Sequence, residues 1–262
     1  MNTAVRAPAA PPRRGSLRRL GGRPQPLVRL VCFPWCGAGA SVYRKLAALL
    51  PDHVELLAVQ LPGREDRFGE RRLLRMEQVV EQVVPDLVAV FDRPLALFGH
   101  SMGALVAHEA ARALRERTGR EPHAVVVSGQ SAPADSGPPV PQWHAADEEA
   151  FIANLRQMGG TPPQVLDDRK AMRALLPLLR ADYEVLETYV PRPGEPLTCP
   201  LVVCAGDEDP EVSPGSVAAW VRHTTGPHRV HWFEGDHFYL SARPEALAAA
   251  LQGWIAPGGI TP

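Results

Sequence analysis

The sequence lacks any long hydrophobic run and carries almost no excess of charge of one sign. No stretch of about 18 consecutive apolar residues occurs, and a membrane-spanning helix needs about that length. The formal net charge at pH 7 is -1, so the composition shows no electrostatic preference for nucleic acid or for an anionic membrane. With 45% hydrophobic and 22% charged residues among 262, the chain has the composition of a globular protein of one large α/β domain or two small ones.

Cysteine is also scarce, and its spacing is not typical of a metal site. The four cysteines could form a metal cage, two disulfides or plain thiols. No C-x-x-C spacing of a zinc site occurs, and two of the four lie inside apolar, strand-like runs. We therefore expect small buried thiols, and no metal or organic cofactor is implied. The cysteines are Cys32, Cys36, Cys199 and Cys204.

Acidic residues are absent from the first 26 positions, which are rich in arginine, proline and alanine. Such a segment buries too little apolar surface to offset the entropy lost on ordering, so residues 1–26 are predicted to be a flexible tail. The segment also lacks the continuous apolar region of a secretory signal, and we therefore expect a cytoplasmic protein. Its arginines are Arg6, Arg13, Arg14, Arg18, Arg19 and Arg23.

From residue 27 onward, short β-rich apolar runs alternate with longer segments of helical periodicity. Most of the runs are apolar on both faces, which is typical of parallel strands covered by helices on each side. The alternation predicts an α/β domain over residues 27–258 with a mostly parallel, doubly wound sheet. The predicted strands are 27–33, 54–61, 94–99, 123–129, 200–206 and 228–233. The predicted helices lie near 42–50, 76–91, 102–117, 214–223 and 244–254.

One interval breaks this alternation. About 70 residues separate the strand that ends near Gly129 from the strand that starts near Pro200, which is far more than one crossover connection needs. Apolar residues recur at helical spacing within the interval, so we expect an insertion of helices over one end of the sheet, at about 135–195. The residues of this pattern are Phe151, Leu155, Met172, Leu175, Leu176, Leu179 and Tyr183.

A serine lies on the bend directly after the third predicted strand. In "LALFGHSMGALVAHEA", residues 95–110, the apolar run stops at Gly99, Ser101 follows two positions later, and a helical pattern begins. Ligands bind beyond the carboxyl ends of the strands in open parallel sheets, and a sharp strand-to-helix turn needs small residues on both sides of the serine. Gly99 and Gly103 complete this G-x-S-x-G pattern, so Ser101 is the candidate nucleophile. The alternative is a glycine-rich turn in which Ser101 only caps the helix.

A serine hydroxyl needs a base within hydrogen-bond reach and a third group that orients the base. On this architecture the acid and then the histidine follow the serine along the chain, each after a later strand. His237 lies in the loop after the last predicted strand and is the candidate base. The G-x-x-D spacing from Gly206 favours Asp209 as the acid, with Asp207 as the alternative. The other competing carboxylates are Glu208 and Asp236.

Acyl transfer also needs two backbone amides that point at the oxyanion formed during the reaction. Met102, the residue after the serine, would supply one of them. The other is expected from the glycine-containing turn after the first predicted strand, "FPWCGAG" at 33–39. Either Trp35 or Cys36 would offer this amide, and the sequence leaves the choice open.

Six short segments together resemble the type II thioesterases, the stand-alone α/β-hydrolases that serve polyketide and non-ribosomal peptide synthases. The segments occur in order and span most of the chain from residue 28 to about 255. Cys36 departs from the family pattern because a small non-thiol residue is commoner there, which matters little if only the backbone amide is used. The segments are "FPWCGAGAS" (33–41), "QLPGRE" (60–65), "FGHSMGA" (98–104), "MGGTP" (158–162), "GDEDP" (206–210) and "HFYL" (237–240).

The resemblance implies an α/β-hydrolase fold in which the insertion forms a helical lid, and a catalytic triad of Ser101, Asp209 and His237. It implies hydrolysis of acyl thioesters on the phosphopantetheine arm of acyl or peptidyl carrier proteins, by which aberrant or stalled acyl units are removed. We expect a monomer that has neither nucleic acid nor a membrane as a partner. The lid residues expected to wall an acyl chamber are Phe151, Leu155, Leu175 and Leu179.

Two other classes of function stay open at the level of sequence. A general carboxylesterase or an acyltransferase would use the same triad, acting on oxygen esters or passing the acyl group to an amine or alcohol. A non-catalytic binding module that kept the hydrolase fold is the other possibility, and a complete triad argues against it.

Overall fold

The structure, a computed structural model, describes residues 15–21, 25–133 and 142–256. Within these residues, seven strands form one sheet in the order β1-β3-β2-β4-β5-β6-β7. β1 runs antiparallel to β3, and every other neighbouring pair is parallel. The strands are β1 (Leu17–Leu20), β2 (Val28–Phe33), β3 (Val54–Val59), β4 (Leu95–His100), β5 (Ala124–Ser128), β6 (Leu201–Gly206) and β7 (His228–Phe233).

Helices follow most of the strands and cover both faces of the sheet. The α-helices are α1 (Arg44–Leu49), α2 (Met76–Ala89), α3 (Met102–Thr118), α4 (Glu148–Met158), α5 (Pro163–Asp167), α6 (Arg169–Glu187), α7 (Pro214–Ala218), α8 (Tyr239–Ala242) and α9 (Pro244–Ile255). Short 3-10 helices occur at Ala40–Tyr43, Glu65–Arg67, Trp143–Ala145 and Ala219–His223. In the part of the chain that the structure describes, no helix is long and apolar enough to cross a bilayer.

The central strands are buried on both faces because a separate hydrophobic cluster lies on each side of the sheet. In β4, Leu95 and Leu97 pack into the cluster that contains α2 and α3. Ala96 and Phe98, which alternate with them, pack into the cluster that contains α1 and α9. This two-sided burial favours apolar residues on both faces of the strand. It confirms the mostly parallel, doubly wound sheet predicted from the sequence.

Local sequence signals set the ends of the two longest helices. α3 ends at Gly119, whose φ of 68° lies in the left-handed region and whose amide donates to the carbonyl of Arg115. α6 begins after Asp168, whose carboxylate accepts hydrogen bonds from the amides of Lys170 and Ala171. Such caps satisfy backbone groups that have no partner within the helix.

The edge strand β1, Leu17–Leu20, lies inside the segment that the sequence predicts to be a flexible tail, and that prediction is wrong for these residues. The strand pairs along β3, and Leu17 and Leu20 pack against the clusters on opposite faces of the sheet. Arg18, between them, forms an ion pair of 2.9 Å with Asp66. An edge strand has only one neighbouring strand and tolerates charged side chains. Because two of the four residues of β1 are arginines, its sequence does not show the apolar pattern of a strand. Residues 1–14 and 22–24 of the predicted tail lie outside the described residues.

The interval between β5 and β6 contains α4, α5 and α6, which pack around a third hydrophobic cluster of their own. The helical insertion expected at about 135–195 is therefore observed as helices between residues 143 and 187. Residues 134–141, where the insertion was expected to begin, lie outside the described residues. The cluster comprises Phe151, Leu155, Leu166, Met172, Leu176 and Leu179.

Truncation of the core should show how much stability the central strand contributes. Leu97 is fully buried, so Leu97→Ala removes apolar contacts and leaves a cavity that lowers the free energy of unfolding by about 2–5 kcal/mol. Chemical denaturation followed by circular dichroism measures this change. Leu27→Ala is the matched control because Leu27 is 66% exposed, and it should change the free energy of unfolding by less than about 0.5 kcal/mol. Equal losses in the two variants would contradict the assignment of the core.

Candidate active site

Ser101 lies on the bend between β4 and α3 with a backbone conformation that is rare for residues other than glycine. Its φ is 54° and its ψ is -125°. Two hydrogen bonds hold this conformation: the amide of Ser101 donates to the carbonyl of Ser128 over 2.8 Å, and its carbonyl accepts from the amide of Ala104 over 2.8 Å. Strain of this kind persists only where the surrounding structure enforces it, and it is concentrated at functional sites. The bend lifts Ser101 beyond the carboxyl end of the sheet.

The two glycines that flank the serine are required by close backbone contacts. A Cβ atom on Gly99 would lie 1.9 Å from the carbonyl oxygen of Gly103. A Cβ atom on Gly103 would lie 2.1 Å from the carbonyl oxygen of Phe33, at the end of β2. No side chain fits at either position, so the G-x-S-x-G pattern follows from the way α3 packs against the sheet.

The loops after β6 and β7 are joined by backbone hydrogen bonds, and this brings Asp209 next to His237. The amide of Glu208 donates to the carbonyl of Gly235 over 3.0 Å. The Nδ1 atom of His237 lies 2.8 Å from Oδ2 of Asp209, and both side chains are buried. When Nδ1 donates to the carboxylate, Nε2 is left as an acceptor, which is the tautomer that a general base needs.

Two of the three competing carboxylates have other partners. The carboxylate of Asp207 accepts from the amide of Gly235 over 2.9 Å, and that of Asp236 accepts from the amide of Phe238 over 2.8 Å. Both hydrogen bonds shape the loop rather than orient the imidazole of His237. The role of catalytic acid for Asp209 stays a prediction, and this geometry supports it.

His100, which no sequence signal indicated, packs against the ring of the candidate base. Its Nδ1 atom lies 2.8 Å from Oγ of Ser128, and that oxygen lies 2.6 Å from the hydroxyl of Tyr239. The rings of His100 and His237 are 4.9 Å apart between centroids. Burial holds the pKa of His100 well below its usual value, so this imidazole is neutral at neutral pH. The neutral ring of His100 packs against His237, so it adds no positive charge beside His237 when His237 itself becomes protonated.

The residues expected to supply oxyanion amides lie around Ser101. Met102 is the first residue of α3, and the first amides of a helix have no acceptor within the helix. Trp35 and Cys36 line the same cavity as Ser101 and His237. The role of these amides stays a prediction, and the choice between Trp35 and Cys36 stays open.

The cysteines are free thiols. Cys32, Cys199 and Cys204 are buried, as expected, whereas Cys36 is only half-buried because its turn borders the cavity. Among the described residues, no group of three or more histidines, cysteines, aspartates or glutamates could hold a metal ion.

A cavity of about 470 Å³ lies between the candidate triad and the inserted helices. Of the lid residues predicted to wall an acyl chamber, Leu155 and Leu179 line this cavity. Phe151 and Leu175 are not among its lining residues; they pack in the cluster inside the lid, so the prediction is wrong for these two. Helical periodicity identifies apolar positions, but it cannot tell a face turned to a cavity from a face turned to a neighbouring helix. Lining residues that the sequence analysis missed are Trp143, Met158, Leu186 and Tyr189.

Two aspartate variants would test the assignment of the acid. Asp209→Asn leaves the imidazole of His237 in the wrong tautomer, so hydrolysis of an activated ester should fall by about 10⁴-fold in kcat. Asp207→Asn is the matched control because its carboxylate binds only the loop backbone among the contacts described above. It should keep at least about a third of the activity. The reverse order of the two effects would assign the acid to Asp207.

Two glycine variants would test the close packing behind the serine. Gly103→Ala places a Cβ against the backbone of Phe33, so we expect a loss of stability of about 1–3 kcal/mol and a fall in ester hydrolysis of at least about tenfold. Gly253→Ala, in α9, is the control because a Cβ there meets no atom within 4 Å. It should leave activity unchanged and raise the melting temperature slightly. Full activity in Gly103→Ala would contradict the packing.

The sequence matches the thioesterase domain family over residues 28–255. It is 43% identical over 226 residues to the thioesterase PikA5 of Streptomyces venezuelae, with 86% of this chain and 80% of that protein covered.

Two solved structures have a similar fold. The type II thioesterase BorB from the borrelidin biosynthetic cluster superposes with a TM-score of 0.84 at 37% identity, over 92% of this chain and 97% of that chain. The RedJ thioesterase from the prodiginine biosynthetic pathway in Streptomyces coelicolor gives a TM-score of 0.81 at 35% identity, over 94% and 90%. The family match, residues 28–255, includes the bend that carries Ser101. The chain therefore belongs to the thioesterase family and is a thioester hydrolase.

Proposed function

We propose that this protein is an editing type II thioesterase, which removes aberrant or stalled acyl units from the phosphopantetheine arms of carrier proteins in a polyketide or non-ribosomal peptide synthase. The observation that carries the proposal is the cavity in which Ser101 and His237 meet the apolar lid residues Leu155 and Leu179. Similar structures whose names place them in the borrelidin cluster, the prodiginine pathway and the yersiniabactin NRPS/PKS pathway support the choice of substrate. The monomeric state and the cytoplasmic location expected from the sequence stay predictions.

The first half-reaction transfers the acyl group to the enzyme. Nε2 of His237 accepts the hydroxyl proton while Oγ of Ser101 forms a bond to the thioester carbonyl carbon. The amide of Met102 and the second amide, from Trp35 or Cys36, donate hydrogen bonds to the oxyanion. When this intermediate collapses, the carbon–sulfur bond breaks and the pantetheine sulfur takes the proton from His237.

The second half-reaction releases the acid. A water molecule gives a proton to His237 and attacks the acyl-serine carbonyl, and collapse of the intermediate returns the proton to Oγ of Ser101. The buried carboxylate of Asp209, 2.8 Å from Nδ1, stabilises the imidazolium formed in both halves. No cofactor takes part in these steps.

A thioester needs less acid assistance than an oxygen ester does. The pKa of a thiol is about 8.5, far below that of an alcohol, so the thiolate is the better leaving group. The acylation step is therefore expected to be fast for pantetheine thioesters once the acyl chain is seated. The walls formed by Leu155 and Leu179 would hold the chain, while the pantetheine arm extends toward the mouth of the cavity.

A carrier-protein assay would test the proposal. Carrier proteins loaded with different acyl groups are incubated with the enzyme, and intact mass spectrometry follows the loss of each acyl group. The unmodified enzyme should release the acyl groups, and Ser101→Ala should reduce release by about 10⁶-fold because it removes the nucleophile. Ser131→Ala is the matched control: Ser131 also lines the cavity but does not lie on the bend, so its activity should stay within about threefold.

Comparison of leaving groups would separate the proposed function from its alternatives. The acyl-carrier protein should be hydrolysed with a higher kcat/KM than the same acyl group on coenzyme A, and both should exceed a nitrophenyl ester. A preference for the oxygen ester would favour a general carboxylesterase. Formation of an amide or ester product in the presence of an added amine or alcohol would favour an acyltransferase.

A further inference from the structure

The segment "QLPGRE", residues 60–65, has no part in the reaction described above, although its arginine is buried. The side chains of Arg64 and of Asp182 in α6 are only 4% and 3% exposed. Two hydrogen bonds of 2.7 Å each join the guanidinium of Arg64 to the two carboxylate oxygens of Asp182. This parallel arrangement fixes the direction of both side chains as well as their separation.

Both members of the pair also hold the turn after β2, which carries the candidate oxyanion amides. Oδ2 of Asp182 accepts a hydrogen bond of 2.7 Å from the amide of Gly37. The guanidinium of Arg64 donates to the carbonyl of Ala38 over 2.9 Å. The first contact fixes the peptide between Cys36 and Gly37, and the second fixes the peptide between Ala38 and Gly39, so both restrain the turn that carries the candidate amides.

The segment that carries Arg64 is itself bound to the same turn. The side chain of Gln60 accepts from the amide of Ala40 over 2.6 Å and donates to the carbonyl of Arg64 over 2.9 Å. Residues 60–64 therefore contact the turn from the side of the sheet, and Asp182 contacts it from the side of the lid. We call this set of contacts the bracket.

The lid helix α6 is the second element that the bracket holds. Leu179 lies one turn before Asp182 and lines the catalytic cavity. A Cβ on Gly37, whose φ is 78°, would lie 2.5 Å from a methyl group of Leu179. The turn and the helix are thus in direct contact at a glycine that tolerates no side chain.

A buried ion pair is a costly way to gain stability, because both charges lose their hydration. An apolar pair of similar volume would hold α6 equally well, but it could not accept a hydrogen bond from the amide of Gly37. The charges are therefore better explained by the geometry that they impose on the turn.

We propose that Arg64 and Asp182 are positioning residues for thioester hydrolysis, which lock the lid helix α6 and the oxyanion turn into one unit. The amide of Trp35 or Cys36 then points at the oxyanion only while α6 is packed against the turn. The proposal rests on the role of this turn in the proposed mechanism, and it does not depend on which carrier protein is served.

Variants of both residues would test the proposal. Asp182→Asn removes the charge and should reduce kcat by about 10- to 10³-fold, the range expected when one oxyanion donor is displaced or lost. Arg64→Met combined with Asp182→Leu leaves no unpaired buried charge and should fold, but it also lacks the acceptor for the amide of Gly37 and should lose activity similarly.

Glu184→Gln is the matched control, because Glu184 lies on the same helix and pairs with Arg75 on the surface. It should keep full activity.

The assay is hydrolysis of p-nitrophenyl acetate, which needs the serine and the oxyanion amides but no carrier protein. Failure of the proposed carrier-protein function would therefore leave this test intact. Two inhibitors separate the possible causes of a loss: an alkyl boronic acid, which forms a tetrahedral adduct with the serine, and an acyl-pantetheine thioether, which mimics the ground state. The affinity for the boronic acid should fall in parallel with kcat/KM, while the affinity for the thioether should change less than about threefold.

Thermal unfolding of each variant completes the experiment. Unchanged kcat/KM and boronic acid affinity in both variants would overturn the proposal. An equal loss of affinity for the two inhibitors, together with a lower melting temperature, would also overturn it, because the pair would then only hold the lid in place.

Discussion

The contact between Gly103 and the carbonyl of Phe33 is the constraint on which the site depends. α3 can start directly at the bend only if its first turn lies against the end of β2, and the missing side chain of Gly103 permits this approach. The contact places Met102, at the start of the helix, beside the turn that contains Trp35 and Cys36. Ser101 and this turn, which are far apart in the sequence, thereby come to line one cavity. The strained backbone of Ser101 is the local consequence of the same packing.

The sheet and the insertion contribute different parts of the enzyme. The candidate triad of Ser101, Asp209 and His237 lies in the loops after β4, β6 and β7, and the two cores on the faces of the sheet fix the positions of these strands. The inserted helices have a separate core and supply much of the wall of the cavity. Substitutions within the lid core can therefore change the cavity without moving the triad. Arg64 and Asp182 join the two parts through a buried ion pair.

Much of this arrangement could be predicted because it depends on local signals. Five of the six parallel strands could be predicted because most of their positions are apolar, and β7, with two histidines and an arginine, is the more polar exception. Ser101 and His237 could be named as candidates because each lies in the loop after a predicted strand. Other features depend on contacts between distant segments. Three features could not be predicted: the contact of His100 with His237, the pairing of Arg64 with Asp182, and the face of the lid helices that lines the cavity. Each depends on which distant segment packs against it, and the local sequence does not indicate that segment. β1 was missed because a short, charged edge strand resembles a coil.

The half-buried thiol of Cys36 has a practical consequence for chemical labelling of this enzyme. Burial and the nearby carboxylate of Asp182 raise the pKa of the thiol well above its usual value, so the nucleophilic thiolate is scarce at neutral pH. Alkylating reagents such as iodoacetamide should therefore react with it slowly, although it borders the reactive serine. A probe directed at the serine hydroxyl is therefore expected to meet little competition from this thiol at neutral pH.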